Sequence, residues 1–270
     1  MKIFAILDDE IKDRALGHLV YYEKCKRFYV ELPNNADEWE TPLLLASFAK
    51  RGETTVNAYW SRLWVQQRIV PTDRQNLGQI LKVNGLKEYD EFKLLMLARG
   101  RCAQDDCYLK PTEESDFNLL YAERLQQHIK DVVPLNNFKL LVFFRDGSIK
   151  ICNAEDLISN NRLFKPVLTN TLLFERVAME PGGYGICWGS QLCISYSALY
   201  KLGKAIPLSP EDFSSFLKNS IINTHEAAAL LDCSRQNINN LMLQGKFTPV
   251  RNDAKNTLFR KSEIFQYMWK

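Results

Sequence analysis

The sequence lacks long apolar runs and the common catalytic signatures. No apolar run reaches the ~18 residues that a membrane-spanning helix needs, so no membrane span is expected. The glycine-rich phosphate loop, the G-x-S-x-G nucleophile turn and the H-E-x-x-H zinc signature are all missing. These absences argue against a membrane protein and against familiar classes of nucleotide-binding enzyme, hydrolase and metalloprotease.

Cysteine and histidine are too few and too scattered to predict a metal site. The seven cysteines include no C-x-x-C pair, and Cys102 and Cys107 are five residues apart. The three histidines, His18, His128 and His225, are far apart in sequence. We therefore expect no metal, no cofactor and reduced thiols, as in a cytoplasmic protein.

Two polar stretches are weak candidates for catalysis. Asp105 and Asp106 are adjacent carboxylates in a polar loop, where such pairs are usually solvated or cap a helix. Arg68 and Arg74 flank a predicted helix start, where acids complement the helix dipole and arginines pair with them. We expect that the chain is not an enzyme. A deep pocket that gathers Arg68, Arg74 and Asp105 would support the opposite hypothesis.

The small positive charge is concentrated in the last fifty residues. The chain has 270 residues and a net charge of +3. Residues 220–270 hold seven Lys and Arg against four Asp and Glu, and the remainder holds 28 of each. A basic excess confined to one segment is typical of a nucleic-acid-binding region.

Hydrophobic periodicity predicts a multidomain α+β chain with three segments. Residues 1–132 begin with alternating strands and continue as helices, so they predict a β-hairpin plus a helical domain. Residues 134–205 predict a small antiparallel β/α domain. Residues 212–270 predict a winged helix-turn-helix, which follows a linker containing Pro207, Ser209 and Pro210.

In the first segment, local signals predict several boundaries. Thr55 is expected to cap a helix, residues 101–111 to form a polar loop, and a long helix to run from about Glu113 to Ile129. Residues 15–110 resemble the small N-terminal subdomain of HipA-type toxin kinases, through the hairpin and the following W-V-Q-Q-R and Y-D-E-F-K-L-L-M-L stretches. Nothing downstream matches kinase catalytic motifs, so the resemblance implies no kinase activity.

The second segment is organised around a hairpin. Asp146-Gly147 separates two β-rich runs, which is the strongest short signal for a hairpin. Trp188 follows three glycines and either plugs a small sheet, which we favour, or marks a ligand groove. The segment resembles a small bacterial domain of unknown function that occurs alone or beside a helix-turn-helix. The resemblance is carried by F-x-D-G from Phe144 to Gly147, by Leu163-Phe164, by Phe174 and by the stretch from Trp188 to Cys193.

The third segment predicts two short helices separated by a tight turn. Thr224 is expected to cap the first helix, in which Ala227, Ala228 and Ala229 let another helix cross closely. Ser234 is expected to cap the second helix, which runs to about Gln244 and ends at Gly245. Ile238, Leu241 and Met242 form the inner side of that second helix.

The outer side of the second helix carries the functional signal. It presents Arg235, Gln236, Asn239 and Asn240 and no acid. Arginine pairs with guanine, and asparagine or glutamine with adenine, in the major groove, whereas phosphate would repel an acid. Leu243 shares this side, and we expect it to pack under the chain that follows.

That following chain predicts a β-hairpin and a final helix. Strands are expected at residues 249–251 and 257–260, with Arg251, Lys255 and Arg260 near the DNA backbone. Ser262 is expected to cap the last helix. The pattern T-x-E-A-A-x-L-L-x-x-S-R-Q-x-I-x-x-L-x-x-x-G-K and the later F-x-K-S-E-I resemble the winged helix-turn-helix of the MerR and excisionase type. The resemblance implies a fold that reads DNA, with Thr224 and Ser234 at the starts of its two helices.

We therefore expect a bacterial or phage-type transcriptional regulator that binds double-stranded DNA and represses its own operon. The apolar residues of Glu211–Lys270 are expected to fill that segment's own core, so a homodimer would form through residues 1–205. Two alternatives stay open. One is an antitoxin-like or adaptor protein that mainly binds another protein, which a co-purifying partner would support. The other is an enzyme with an unrecognised site in the helical domain.

Overall fold

Helices alternate with several small antiparallel sheets, so the predicted α+β class is confirmed. The computed structural model describes residues 1–10, 14–158, 161–189, 191–253 and 256–268. Within these ranges, none of the helices combines the length and the apolar character that crossing a bilayer requires.

The chain divides into two compact units. Unit 1 comprises Met1–Asp146 and Cys152–Gly203, and unit 2 comprises Gly147–Ile151 and Lys204–Lys270. Most of the two predicted N-terminal segments thus lies in unit 1, and their separation into two domains stays a prediction.

The first sheet of unit 1 is built from five antiparallel strands. They are β1 (Lys2–Asp8), β2 (Ala15–Tyr22), β3 (Arg27–Glu31), β4 (Thr55–Val56) and β5 (Cys107–Pro111). Their order is β4-β3-β2-β1-β5, so the predicted N-terminal strands are confirmed as a meander. The expected polar loop at residues 101–111 is wrong in part, because its second half forms β5. In this strand Leu109 pairs with Ile6 of β1, so β5 is an edge strand of the sheet.

Six helices follow or flank this sheet. They are α1 (Leu43–Lys50), α2 (Ala58–Gln66), α3 (Leu77–Val83), α4 (Glu91–Leu97), α5 (Glu114–Leu120) and α6 (Ala122–Gln126). Thr55 does not cap α2. Asn57 does, and its side chain accepts a hydrogen bond from the Trp60 amide at 3.1 Å. The predicted long helix is wrong: it breaks at Tyr121, whose buried hydroxyl lies 2.9 Å from His18 Nδ1.

The remaining elements of the middle region are short. They are β6 (Ile129–Leu135), β7 (Lys139–Phe144), β8 (Ile149–Asn153), α7 (Ala154–Ile158), α8 (Lys165–Thr169), α9 (Thr171–Phe174), β9 (Ala178–Met179), β10 (Gly185–Trp188), β11 (Leu192–Ser195) and α10 (Tyr196–Leu202). In unit 1, β6 pairs with β7, and β10 lies between β9 and β11. The predicted turn at Asp146-Gly147 is confirmed by a φ of +84° at Gly147, a conformation that glycine adopts readily.

Trp188 and two cysteines hold the β10–β11 hairpin in place. Trp188 is buried, and its indole N–H donates to the Phe174 carbonyl at 2.8 Å, so the favoured interpretation of a core plug is confirmed. Cys187 and Cys193 face each other on the two strands and form a disulfide. The expectation of reduced thiols is therefore wrong for this pair, because strand register brings together residues that sequence spacing did not connect.

A buried ion pair anchors unit 1. Glu31 on β3 is fully buried, and Arg124 on α6 donates to its carboxylate at 2.6 Å. Thr55 also donates to Glu31 at 2.9 Å, and the Thr55 hydroxyl lies 3.0 Å from that of Tyr196 on α10. Polar contacts therefore connect the first sheet to residues that follow β6.

Aromatic packing makes the same connection. The rings of Tyr29 and Tyr184 stack with centroids 3.9 Å apart, and the Tyr29 hydroxyl donates to Glu180 at 3.2 Å. Burial lowers the pKa of His18 and of His128 to about 4, because an imidazolium there would lose its water. Both histidines are thus neutral members of the core.

Unit 2 contains β12, which pairs with β8, and the C-terminal elements. These are β12 (Lys204–Ile206), α11 (Pro210–Ser220), β13 (Ile221–Asn223), α12 (Thr224–Leu230), α13 (Arg235–Leu243), β14 (Arg251–Asn252), β15 (Thr257–Arg260) and α14 (Lys261–Met268). The predicted linker is partly wrong, because Ser209 accepts from the Asp212 amide at 3.0 Å and caps α11. Proline at the first position of a helix is favourable rather than disruptive.

Replacing the buried carboxylate tests the role of the ion pair. The change Glu31→Gln leaves the Arg124 charge buried without a counter-ion, so we expect the free energy of unfolding to fall by ~3–5 kcal/mol. Urea unfolding followed by tryptophan fluorescence measures this loss. Glu53→Gln is the matched control, since Glu53 pairs with Arg51 in solvent and its loss should hardly move the midpoint. Equal midpoints for the two variants would contradict the assignment.

Candidate nucleic-acid interface

The first helix of the predicted helix-turn-helix begins with a capping box. The Asn223 side chain accepts from the amides of His225 at 2.8 Å and Glu226 at 3.0 Å, and Glu226 accepts from the Asn223 amide at 2.8 Å. The predicted cap at Thr224 is therefore wrong by one residue, and Thr224 is the first residue of α12. The sequence carried this signal, because asparagine three residues before glutamate can form the same reciprocal pair.

The crossing of α12 and α13 depends on small residues. Ala227 and Ala228 are buried at the contact, and their short side chains let α13 approach closely. Asp232 has a φ of +47° in the intervening turn, a conformation that Asp tolerates better than most residues. Ser234 then caps α13, as predicted, and accepts from the Asn237 amide at 3.2 Å.

The two sides of α13 differ as the sequence predicts. Ile238 and Leu241 are buried in the core of unit 2. Four polar residues of the opposite side are all exposed, and we call them the outer face: Arg235, Gln236, Asn239 and Asn240. The helix ends at Leu243, and the left-handed φ of +69° at Gly245, two residues later, is consistent with the predicted stop.

Leu243 is the main departure from the predicted interface. Its side chain is 81% exposed rather than packed under the hairpin. The cover for the core comes instead from Phe247 and Phe259, whose rings lie 6.2 Å apart and are both buried. Leu243 thus adds one exposed apolar side chain at the C-terminal end of the outer face.

Three antiparallel strands flank the helix pair. Their order is β13-β15-β14, and β13 was not predicted. β14 starts at Arg251, two residues later than expected, whereas β15 has the predicted bounds. The last helix begins at Lys261, so Ser262 lies inside it rather than before it.

The predicted phosphate-contacting residues differ in their surroundings. Arg251 is exposed and donates to Asp253 at 2.7 Å, so part of its charge is balanced within the hairpin. Arg260 is exposed on β15. Lys255 lies outside the described residues.

The acids of this region are mostly engaged away from the outer face. Glu226 belongs to the capping box, Glu263 accepts from the Thr248 amide at 3.0 Å, and Asp253 pairs with Arg251. None of these carboxylates lies on α13, which has no acidic residue. The outer face is therefore an acid-free polar surface on a helix held from behind by apolar packing.

The three residues of the rival catalytic hypothesis do not all lie together. Arg68 is buried, stacks on Trp64 and forms an ion pair with Asp105. Arg74 is exposed and donates to Asn76 at 3.1 Å. The structure thus brings together two of the three expected residues, in an ion pair between buried Arg68 and half-buried Asp105.

We expected the apolar residues of the C-terminal segment to be buried in that segment's own core, and this is wrong in part. Several of its large apolar side chains are exposed by 44% or more: Phe216, Leu217, Leu243 and Val250. The C-terminal segment therefore has exposed apolar surface that could contact another molecule, as residues 1–205 also have.

The capping assignment is testable in the full chain. Asn223→Ala removes two hydrogen bonds to first-turn amides, so we expect α12 to lose about 1 kcal/mol and its amides to exchange ~5-fold faster. Hydrogen–deuterium exchange of peptides covering residues 224–230 measures the change. Thr224→Ala is the control and should leave exchange near the wild-type rate. A larger effect from Thr224→Ala would restore the original assignment.

The comparisons with known proteins concern one part of the chain. A family model described as "Protein of unknown function (DUF2442)" matches residues 129–205, which overlaps the predicted second segment. No curated protein and no solved structure matches the chain significantly. The match spans less than half of the chain, so it assigns neither a family to the whole chain nor a function to any of its residues.

Proposed function

We propose that this protein binds double-stranded DNA sequence-specifically through α13 and acts as a transcriptional regulator that represses its own operon. The observation that carries the proposal is the outer face, where one arginine and three side-chain amides are exposed on an acid-free helix. These side chains match the donor and acceptor patterns of guanine and adenine in the major groove.

The elements around α13 have further roles in the proposed complex. In the proposed complex, α12 supports α13 from behind, as the first helix of a winged helix-turn-helix does. The β14–β15 hairpin acts as the wing, and Arg251 and Arg260 contact phosphate. Phosphate contacts position a protein on DNA, whereas base contacts provide the sequence specificity.

The proposal includes a homodimer, because two recognition helices about 34 Å apart match one turn of a two-fold operator. Exposed apolar side chains are available for such contacts in both units. Trp39 and Leu43 are 87% and 92% exposed in unit 1, and Phe216 is 59% exposed in unit 2.

Protein binding through the same helix is the second candidate, and Leu243 favours it. An exposed leucine beside Gln236 and Asn240 suits an apolar pocket on a partner protein as well as a thymine methyl group. Leu243→Ser separates the two candidates. If DNA is the ligand, discrimination at one base pair falls. If a protein is the ligand, DNA affinity stays unchanged in every variant of the outer face.

Variants of the outer face test DNA recognition. An operator is first selected from a random duplex library with the full chain. We expect Arg235→Ala, Gln236→Ala and Asn239→Ala each to raise its Kd by ~5–150-fold, which corresponds to about 1–3 kcal/mol for a lost base contact. Fluorescence anisotropy measures the Kd. Asn219→Ala, an exposed asparagine on α11, is the control and should bind normally. A library with no enriched sequence, or wild-type Kd values for all three variants, would refute the proposal.

The salt dependence of binding tests the wing. Arg260→Ala and Arg251→Ala should weaken binding to all duplexes alike and reduce the slope of log K against log salt by about one per lost phosphate contact. The effect should be smaller for Arg251, because Asp253 already balances part of its charge. Lys218→Ala on α11 is the charge-matched control. Unchanged slopes in both arginine variants would mean that the hairpin does not lie on DNA.

A further inference from the structure

Three potential metal ligands meet beside the β10–β11 hairpin in unit 1. One ligand atom each from Glu180, Cys187 and Cys193 lies within 4.8 Å of the other two. Glu180 and Cys187 are buried, and Cys193 is half-buried. No residue of the proposed DNA interface takes part, so this cluster is independent of that function.

Strand register places the two sulfurs together. Cys187 on β10 is directly opposite Cys193 on β11, with Cα atoms 4.1 Å apart. Sequence spacing gave no metal signal, because five residues separate the cysteines and the third ligand comes from before the hairpin. The cluster exists only when the hairpin has formed.

A glycine makes room for the carboxylate. Glu180 is held against β10 by its amide, which donates to the Gly185 carbonyl at 2.8 Å. A Cβ atom at Gly185 would lie 2.4 Å from the Ile194 carbonyl oxygen on the facing strand and 2.8 Å from Glu180 Oε2, and both distances are shorter than such atoms adopt. Gly185 and Cys187 are two residues apart and so face the same side of the strand. The missing side chain therefore lets the carboxylate lie beside the sulfurs.

Glu180 is a buried acid, and the cation that acts on it is Arg27, through space rather than in an ion pair. Glu180 is 8% exposed, and its Oε1 accepts from the Tyr29 hydroxyl at 3.2 Å. Among the described residues, no lysine, arginine or histidine forms an ion pair with it. An ionised carboxylate is costly to bury unless it is paired or binds a metal. The position thus favours a cation, and two sulfurs lie beside the carboxylate.

We propose that reduction of the Cys187–Cys193 disulfide creates a zinc site formed by both thiolates and the Glu180 carboxylate. Two thiolates select Zn²⁺ over Mg²⁺ or Ca²⁺, and three protein ligands leave a fourth tetrahedral position for water or a partner's side chain. Tetrahedral Zn–S bonds of ~2.3 Å place two sulfurs about 3.8 Å apart, which cysteines on facing strands reach by side-chain rotation.

The two states of the site exclude each other. A dithiol reductant gives two electrons and two protons to the S–S bond and becomes a disulfide itself, which leaves two protein thiols. Zinc binding then releases one proton from each thiol as the two Zn–S bonds form. A disulfide oxidant reverses this: it takes two electrons from the two zinc-bound thiolates and two protons from water to become two thiols, the protein S–S bond forms, and Zn²⁺ is released because disulfide sulfurs are weak ligands. The hairpin therefore acts as a redox-dependent metal site.

Metal titration of the full chain tests the proposal. The protein is reduced with a water-soluble phosphine under argon and titrated with Co²⁺, whose thiolate charge-transfer absorption reports sulfur ligands. Zn²⁺ is then added to displace the cobalt. We expect one ion per chain in the reduced protein and none in the oxidised protein. No binding to the reduced protein, or equal binding in both states, would overturn the proposal.

Variants identify the ligands. Cys187→Ser and Cys193→Ser should each remove the thiolate band of a two-sulfur site, and Glu180→Gln, which keeps the shape of the side chain, should weaken Zn²⁺ binding at least ~10-fold. Cys233→Ser and Cys25→Ser, at free cysteines outside the cluster, are the controls and should bind as wild type does. Circular dichroism checks that each variant is folded. Wild-type affinity in folded Glu180→Gln would exclude the carboxylate, and loss of binding only in a control variant would exclude the site.

Discussion

The ion pair between Glu31 and Arg124 is the interaction on which unit 1 depends. Each charge would cost several kcal/mol to bury alone, and only close contacts offset that cost. Arg124 meets this condition, because it also donates to the carbonyls of Leu32 at 2.9 Å and Thr54 at 3.2 Å. One guanidinium thereby hydrogen-bonds the backbone carbonyl groups just after β3 and just before β4. Because Arg124 belongs to α6, these bonds also hold α6 against both strands.

The segment that matches the family model shares its interior with this arrangement. Tyr184 stacks on Tyr29 in the same core cluster as residues of β1 and β2, and Tyr196 reaches Thr55 beside the ion pair. The hairpin that carries Cys187 and Cys193 begins one residue after Tyr184. The two cysteines therefore lie on a hairpin whose first strand starts next to a residue packed in the core of unit 1.

Unit 2 is organised by a different constraint, which is the close crossing of α12 and α13. Ala227 and Ala228 are buried where α12 packs, and the larger side chains buried in the same small core are Ile222, Ile238, Leu241, Phe247, Phe259 and Ile264. Because packing uses one side of α13, the opposite side is free of structural demands. The polar, acid-free composition of that side, with Leu243 exposed at its C-terminal end, is the feature from which the proposed function was argued.

The sequence by itself determined the features that depend on neighbours a few residues away. Alternating strands at the N-terminus, the Asp146-Gly147 turn, the Ser234 cap and the exposed outer face all follow from local backbone preference and periodicity. The tertiary structure alone decided the features that depend on distant partners. β5 became a strand because β1 offered a free edge, the helix predicted from Glu113 broke where Tyr121 reached His18, and Cys187 met Cys193 and Glu180 through strand register. Contacts of this kind join residues as many as 151 positions apart, so no pattern among neighbouring residues can predict them.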